Sequence, residues 1–301
     1  MPCSPHCGYI FHSDYVISCY RCRDLIKFGQ FSYKIAPFSK RRRRGIFMTQ
    51  AKTTPNDQTR HGILLWAIKM AAMCVIYGAL LFLAAGRLNW TFGWVYLGVT
   101  VLTQVLCALL LIPRRPDLIA ERSKMQAGTK KWDQLLAPLI SLAGPLFIMV
   151  TAGLDARFGW SALIPPASLS VGSADSVGDA STVLWIAALI LAIGSSLFTL
   201  WAMMSNPFFA STVRIQNDRG QNVVSAGPYR IVRHPGYLGA VIFDLAAPLV
   251  LGSLWTFVPS IITVVLLFVR TGLEDRTLQN ELPGYAEYAA KVRSRLIPGI
   301  W

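Results

Sequence analysis

The chain has 301 residues, of which 53% are hydrophobic and only 15% charged. Its apolar residues come in long blocks, which excludes an ordinary soluble domain and indicates an integral membrane protein. The net charge of +14 does not indicate nucleic-acid binding: nine of the basic residues lie in residues 1–47, and no basic domain interleaved with aromatics remains. Attraction to anionic lipid headgroups is the simpler consequence.

Residues 1–47 are polar and basic, end in Lys40-Arg41-Arg42-Arg43-Arg44 and hold four of the six cysteines. Cys3, Cys7, Cys19 and Cys22, with His6 nearby, fit the spacing of a zinc site only loosely. The segment also lacks the apolar core of a signal peptide. We read it as a basic extension outside the functional unit, disordered or not translated. In a bacterial gene, a purine-rich ribosome-binding sequence read in frame gives consecutive arginines shortly before the true start, which here would be Met48.

Runs near 63–86, 90–112, 135–154 and 182–204 each reach the roughly 20 residues that a helix needs to cross the hydrocarbon core. Two further runs, 237–251 and 254–270, are shorter and are broken by Gly252-Ser253. They form either a thin pair of spans or a helical hairpin that does not cross fully, since backbone turns within a membrane only where protein or a polar cavity satisfies it. We expect a tight hairpin closing one side of a pocket. The fold class is therefore all-α, a polytopic membrane protein with four spans plus a helical hairpin, five to six transmembrane helices in all.

Basic residues set the orientation. Segment 113–134 carries Arg114, Arg115, Arg122, Lys124, Lys130 and Lys131; segment 205–235 carries Arg214, Arg219, Arg230 and Arg233; the tail carries Arg276, Lys291, Arg293 and Arg295. The opposite loops have Arg87 and Arg157. Both termini are expected on the cytoplasmic side, in a bacterial inner membrane. Trp132 reads as an interfacial anchor, and the Gly/Ser-rich loop 155–181, with Pro165-Pro166, as a flexible connection. Lys69 lies near enough to the cytoplasmic end of its span to snorkel, whereas Asp244, inside the hairpin, is a candidate to line the pocket. Cys74 and Cys107 lie within apolar spans and read as small hydrophobes. No inverted repeat of the transporter kind is found.

The polar motifs cluster after the fourth span. Val223-Val224-Ser225-Ala226-Gly227-Pro228-Tyr229 reads as an extended or turn-like segment whose unpaired backbone groups suit an adenine edge or a methionyl group. In Arg233-His234-Pro235-Gly236-Tyr237, Pro235 keeps His234 out of a helix and can open the next one, whose first N–H groups suit a bound carboxylate. The other three histidines, His6, His12 and His61, precede the first span, so no His-cluster metal site is expected. Beyond the hairpin, Arg270 and Glu274 stand four apart and can pair on one helix face. The alternative is a division of labour, in which an acid of the Glu274-Asp275 pair receives a cofactor ammonium and Arg270 orients an acceptor carboxylate. Tyr285, Tyr288 and Val292 form a stripe at helical spacing, read as packing first and as a cap over a cofactor second.

This arrangement over residues 205–301 resembles the isoprenylcysteine carboxyl methyltransferase family, which is related to membrane phospholipid methyltransferases. The resemblance implies a helical membrane fold that takes S-adenosylmethionine from the cytosol and a lipid-like or isoprenoid acceptor laterally from the bilayer. Carried over by position, the cofactor contacts would be Gln221, Asn222, Val223, Val224, Tyr229, His234, Pro235, Gly236, Tyr237 and an acid of the pair Glu274 and Asp275. Arg270 and His234 would be the catalytic residues, and Arg270 would position the substrate. Residues 48–204 would then form the membrane region and 205–301 the catalytic region. Two positions depart from the family pattern: Gln221 stands where eukaryotic relatives often have His, and Asp275 replaces a more usual Glu.

Methyl transfer to a carboxylate needs alignment and desolvation rather than acid–base work. An amine acceptor, as in a phospholipid N-methyltransferase, would have to lose a proton, and His234 is the one evident base. The absence of a glycine-rich loop after a strand excludes a soluble Rossmann methyltransferase. A sterol-type reductase using NADPH shares the hairpin-and-tail arrangement but calls for a denser basic pocket. A transporter or scaffold does not explain polar motifs gathered at one end of the chain.

Overall fold

The computed structural model describes residues 57–161 and 180–301, within a compact unit that runs from Thr53 to Trp301. The cysteine-rich basic extension, Met48 and the Pro165-Pro166 stretch of the outer loop lie outside the described residues. Among the described residues there are helices and no strand. Five stretches are long and apolar enough to cross a membrane: Asp57–Ala85, Thr91–Leu111, Lys131–Phe158, Ser181–Ser205 and Phe257–Glu281. At 1.5 Å per residue, even the shortest measures about 31 Å, enough for a hydrocarbon core of about 30 Å.

In chain order the helices are α1 (Asp57–Ala85), α2 (Thr91–Leu111), α3 (Pro116–Glu121), α4 (Lys131–Pro138), α5 (Gly144–Phe158), α6 (Ala180–Ser205), α7 (Pro235–Leu251), α8 (Phe257–Glu281) and α9 (Tyr285–Lys291). The third span is α4 and α5 joined by a π-helical turn, Leu139–Ala143. Pro145 explains the irregularity: it has no N–H to offer the carbonyl of Ser141 and its ring crowds that carbonyl. The loosened turn leaves the Leu142 carbonyl free to accept the Tyr77 hydroxyl at 3.0 Å, which ties this span to α1.

The hairpin is uneven. Its first leg, α7, has 17 residues, about 25 Å, while α8 has 25 residues and runs unbroken through Arg270, Glu274 and Asp275 to Glu281. The expectation of two short legs is therefore corrected for the second. The charged residues that end the apolar run do not end the helix, because partners from other elements receive them. Between the legs, Gly252 at φ 68 closes α7 with its N–H on the Leu249 carbonyl, and the Ser253 N–H returns to Pro248, a left-handed cap that a side chain would strain.

Small residues set the helix spacing. A Cβ on Gly153 of α5 would lie 2.6 Å from the Leu81 carbonyl of α1, and one on Gly239 of α7 would lie 2.8 Å from the Ser195 carbonyl of α6. Both neighbours are backbone, so neither can yield. Gly153→Val is expected to lower the stability of the detergent-purified protein by about 1–3 kcal/mol, the usual cost of overpacking. Gly98→Ala, at a site with open space around it, should be neutral or stabilising. Thermal unfolding of the two variants side by side checks the claim, and equal midpoints would contradict it.

Each end of the bundle carries its own polar fastening. At one end, buried Asp155 of α5 accepts the Ser161 N–H at 2.7 Å, the Ser161 hydroxyl and the Ser253 hydroxyl at 2.5 Å, pinning α5 to the α7–α8 turn. At the other end, Lys69 of α1 reaches the Ser123 carbonyl beyond α3 at 2.5 Å. The start of α1, the end of α2, the start of α4, the end of α6, the start of α7 and the end of α8 all meet there, and that is where the polar motifs converge.

Candidate functional site

Asp275 is the centre of that end. It is fully buried, and five side chains are directed at its carboxylate. Arg233 Nη2, Arg295 Nε and Gln279 Nε2 donate to Oδ2 at 2.9, 2.9 and 2.7 Å. The Tyr285 hydroxyl donates to Oδ1 at 3.0 Å, and His234 Nε2 lies 3.3 Å from the same oxygen. A carboxylate so engaged has its acceptor capacity filled. His234 is placed for this by the sequence: Pro235 opens α7 and leaves the preceding residue extended, at φ −124 and ψ 63.

Glu274, the neighbouring acid, is different. It is half-buried and, among the described residues, has a single side-chain partner, the Tyr237 hydroxyl, which donates to Oε2. The Tyr237 ring stacks on His234, 5.8 Å between centroids, and lies 5.3 Å from the guanidinium carbon of Arg270. Arg270, His234, Tyr237, Glu274 and Asp275 are thus brought together as one cluster where the start of α7 meets the end of α8.

Arg270 does not pair with Glu274, contrary to the helical-spacing expectation. Its partner is Asp133, in the first turn of α4: Nε and Nη2 grip the two carboxylate oxygens at 2.7 and 3.1 Å, and Nη2 also reaches the Ser211 carbonyl at 2.9 Å. Asp133 is fully buried and accepts the Val213 N–H at 2.6 Å as well. A fork on a buried carboxylate fixes the guanidinium plane more firmly than a flexible i,i+4 pair can. Nη1 of Arg270 has no protein partner among the described residues. Sequence reasoning missed Asp133. The signal was present as an acid in the first turn of the third span, at the same membrane boundary as an arginine in need of one.

Beside the cluster stands an apolar wall: Val223, Val224, Tyr229, Leu282, Tyr285 and Tyr288 pack together. The tyrosine stripe therefore packs as expected. It also bonds, with the Tyr288 hydroxyl donating to the Tyr229 carbonyl at 2.7 Å and Asn206 Nδ2 to the Tyr229 hydroxyl at 3.1 Å. Burial pushes the hydroxyls of Tyr229, Tyr285 and Tyr288 above the usual tyrosine range, and for Tyr285 the Asp275 charge adds to it. All three stay protonated at neutral pH and keep their donor role.

Other candidates stand apart. Gln221 closes its own turn, with Oε1 accepting the Gln216 N–H at 2.7 Å, and Asn222 is exposed. The backbone of residues 222–225 has no hydrogen-bonded ladder, so its polar groups are open. Gly236 is buried against the Phe209 ring and leaves no room for a Cβ. Asp244 lies nine residues into α7, about 13 Å from its start, in the field of Tyr96 of α2. It is not part of the cluster, which corrects the expectation that it lines the pocket.

The segment from Ser211 to Gln216 is held against this frame by ion pairs. Arg214 bridges Glu121 of α3 and Asp218 at 2.7 Å each, and Lys130 meets Glu281 at 2.7 Å. Below the cluster an apolar cleft of ≈ 380 Å³ separates the π-helical turn and α5 from α8; it is lined by Leu139, Ala143 and Phe147 on one side and by Ile262, Thr263 and Leu266 on the other. Leu266 is one helical turn from Arg270. Among the described residues no group of three or more His, Cys, Asp or Glu is placed to hold a metal.

Comparison with curated proteins gives no match. The model of one family, the isoprenylcysteine carboxyl methyltransferase (ICMT) family, matches residues 186–280. That stretch takes in α6, the extended segment after it, α7 and α8, and with them His234, Tyr237, Arg270, Glu274 and Asp275. Over this segment, a little under a third of the chain, the sequence is similar to the ICMT family.

Proposed function

We propose that the protein transfers a methyl group from S-adenosylmethionine to the carboxylate of a lipid-like acceptor, and that residues 205–301 form the catalytic region. The observation that carries this reading is the division of charge along one face of α8. Arg270 is held by Asp133 with Nη1 open, and Glu274, one turn on, has a single partner among the described residues. Side chains four apart on a helix are about 5–6 Å apart at Cβ, so an anionic acceptor and a cationic cofactor would meet side by side.

The residues suit the cofactor. Glu274 would receive its ammonium group. Asp275 acts differently: its filled carboxylate positions His234, Arg233 and Tyr285 around the pocket. Open backbone at 222–225 and the Val223–Tyr285 wall would take the nucleoside. When bound, S-adenosylmethionine supplies a sulfonium methyl that a carboxylate oxygen accepts with no proton to move, the electron pair of the broken bond staying on sulfur. The chain's own work is then alignment and exclusion of water. Both partners of His234, Asp275 and Tyr285, meet Nε2 and fix the ring, and a carboxylate acceptor asks no proton transfer of its other nitrogen. The cleft beside Leu266 would take the acceptor's apolar chain. The basic segments at this end support a cytoplasmic site, with both termini on that side, by the positive-inside rule.

Calorimetric titration of the full-length, detergent-purified protein tests the proposal. Saturable binding of S-adenosylmethionine is expected, weakened at least tenfold in Glu274→Gln. Binding of reduced nicotinamide cofactor in its place would move the protein to the reductases. Binding of neither would end the reading.

A further inference from the structure

Arg122 is a guanidinium beside the site with no acid to balance it. It caps the C-terminal end of α3, donates through Nη1 to the Phe209 carbonyl at 3.2 Å, and lies with its guanidinium carbon 5.5 Å from the Phe209 ring centroid. Among the described residues its side chain has no other partner. The adjacent Glu121 is taken by Arg214. Burial pulls Arg122 below the ordinary arginine range and the Arg270 charge pulls the same way, against the opposing influence of Cys107 and Tyr237. A half-buried cation held by one carbonyl and one ring is under-compensated, and a second cation nearby adds to the imbalance. An anion bound between them removes both penalties.

Depth says which anion. Leu118 and Ile119 of α3, which Arg122 caps, pack with Cys107 and Leu111 in the last turn of α2, so Arg122 stands at the level where a lipid headgroup would meet its chains. The Asp275 cluster stands five residues further along α8 than Arg270, about 7.5 Å beyond it. Asp133 already neutralises Arg270, which leaves one uncompensated positive charge and suits a singly charged carboxylate better than a phosphate. Building on the carboxylate methyltransferase reading, we propose that Arg122 and Arg270, which hold the Phe209 and Ser211 carbonyls two residues apart on one segment, form the seat of the acceptor's carboxylate.

The seat also distinguishes substrate from product. Methylation forms the carboxylate's O–CH3 bond as the S–CH3 bond breaks and turns the acceptor into a neutral ester. Arg122 then loses its counter-charge, so the ester is held less well than a fresh carboxylate.

The test needs no turnover. Full-length protein in nonionic detergent is titrated with dodecanoate, its methyl ester and dodecyl phosphate, with the thermal unfolding midpoint as readout, for wild type, Arg122→Gln and Arg122→Lys. Dodecanoate should raise the wild-type midpoint and the ester should not. Affinity for dodecanoate should fall at least tenfold in Arg122→Gln and less in Arg122→Lys, which keeps the charge but not the planar fork and serves as the probe if the Gln variant does not fold. S-adenosylmethionine affinity should be unchanged in both. The proposal is overturned by equal responses to acid and ester, by a preference for the phosphate, by wild-type behaviour of Arg122→Gln, or by a loss of cofactor affinity in that variant. Arg122-dependent dodecanoate binding in a protein that does not bind S-adenosylmethionine would instead overturn the methyltransferase reading and leave the anion seat standing.

Discussion

Asp275→Asn is expected to be the most damaging conservative change in the molecule. The native carboxylate is 0% exposed and faces Arg233, which is buried, and Arg295, whose side chain is 36% exposed. Removing the charge leaves Arg233 inside the protein without its ion-pair partner and turns one acceptor oxygen into a donor pointed at other donors. Breaking a buried pair in this way typically costs about 3–5 kcal/mol, which for a protein of this size is on the order of 10 °C in the unfolding midpoint. Cofactor affinity should fall with it, since His234 and Tyr285 lose the oxygen that orients them. Arg295→Ala is the internal comparison: its ion pair is partly solvated, so about 1 kcal/mol or less is expected. Thermal unfolding in detergent separates the two, and an Asp275→Asn midpoint within about 2 °C of wild type would refute the central role given to this carboxylate.

Asp133→Asn should come next, with a distinctive signature in combination. Alone, it strips Arg270 of its fork and weakens the acceptor for the Val213 N–H, for a cost of about 3–5 kcal/mol. Combined with Arg270→Gln, which removes the stranded charge, much of the stability should return, because a neutral pair avoids the desolvation that the ion pair offsets. Methyl transfer should not return, because the group proposed to hold the acceptor is gone. A double variant whose destabilisation equals the sum of the single changes would show that the two residues do not act as a pair.

The spans were legible because membrane crossing leaves a coarse signal, length and apolarity, that survives without knowledge of packing. The convergence of His234, Tyr237, Arg270 and the acidic pair was legible because the motifs sit at the adjoining ends of consecutive helices. Pairing within the site was not. Helical spacing offered Glu274 as a partner for Arg270, whereas its partner Asp133 is 137 residues away, a separation at which helix periodicity carries no information. The two acids of the Glu274-Asp275 pair looked interchangeable in sequence, and only the directions of Arg233, Arg295, Gln279 and Tyr285 distinguish the filled one from the open one. Arg122 read as one more topology signal, because its lack of a partner is visible only once Glu121 is seen to be taken by Arg214. Asp244 misled for the opposite reason: a charge at membrane depth suggested a pocket, but the helix carries it past the cluster toward Tyr96.

The tail after α8 also bears on when the site comes into being. The Arg233 N–H bonds to the Ser294 carbonyl at 3.0 Å and the His234 N–H to the Arg295 carbonyl at 2.9 Å, while Tyr285 and Arg295 supply two of the donors to Asp275. Synthesis proceeds from the N-terminus, so α7 and α8 are made before the segment that clasps them exists. A chain ending at residue 280 would hold the entire segment matched by the family model and still lack Tyr285 and Arg295. Formation of the cluster thereby waits for residues 285–295, and a polypeptide without them carries the motifs without two of the donors that organise them.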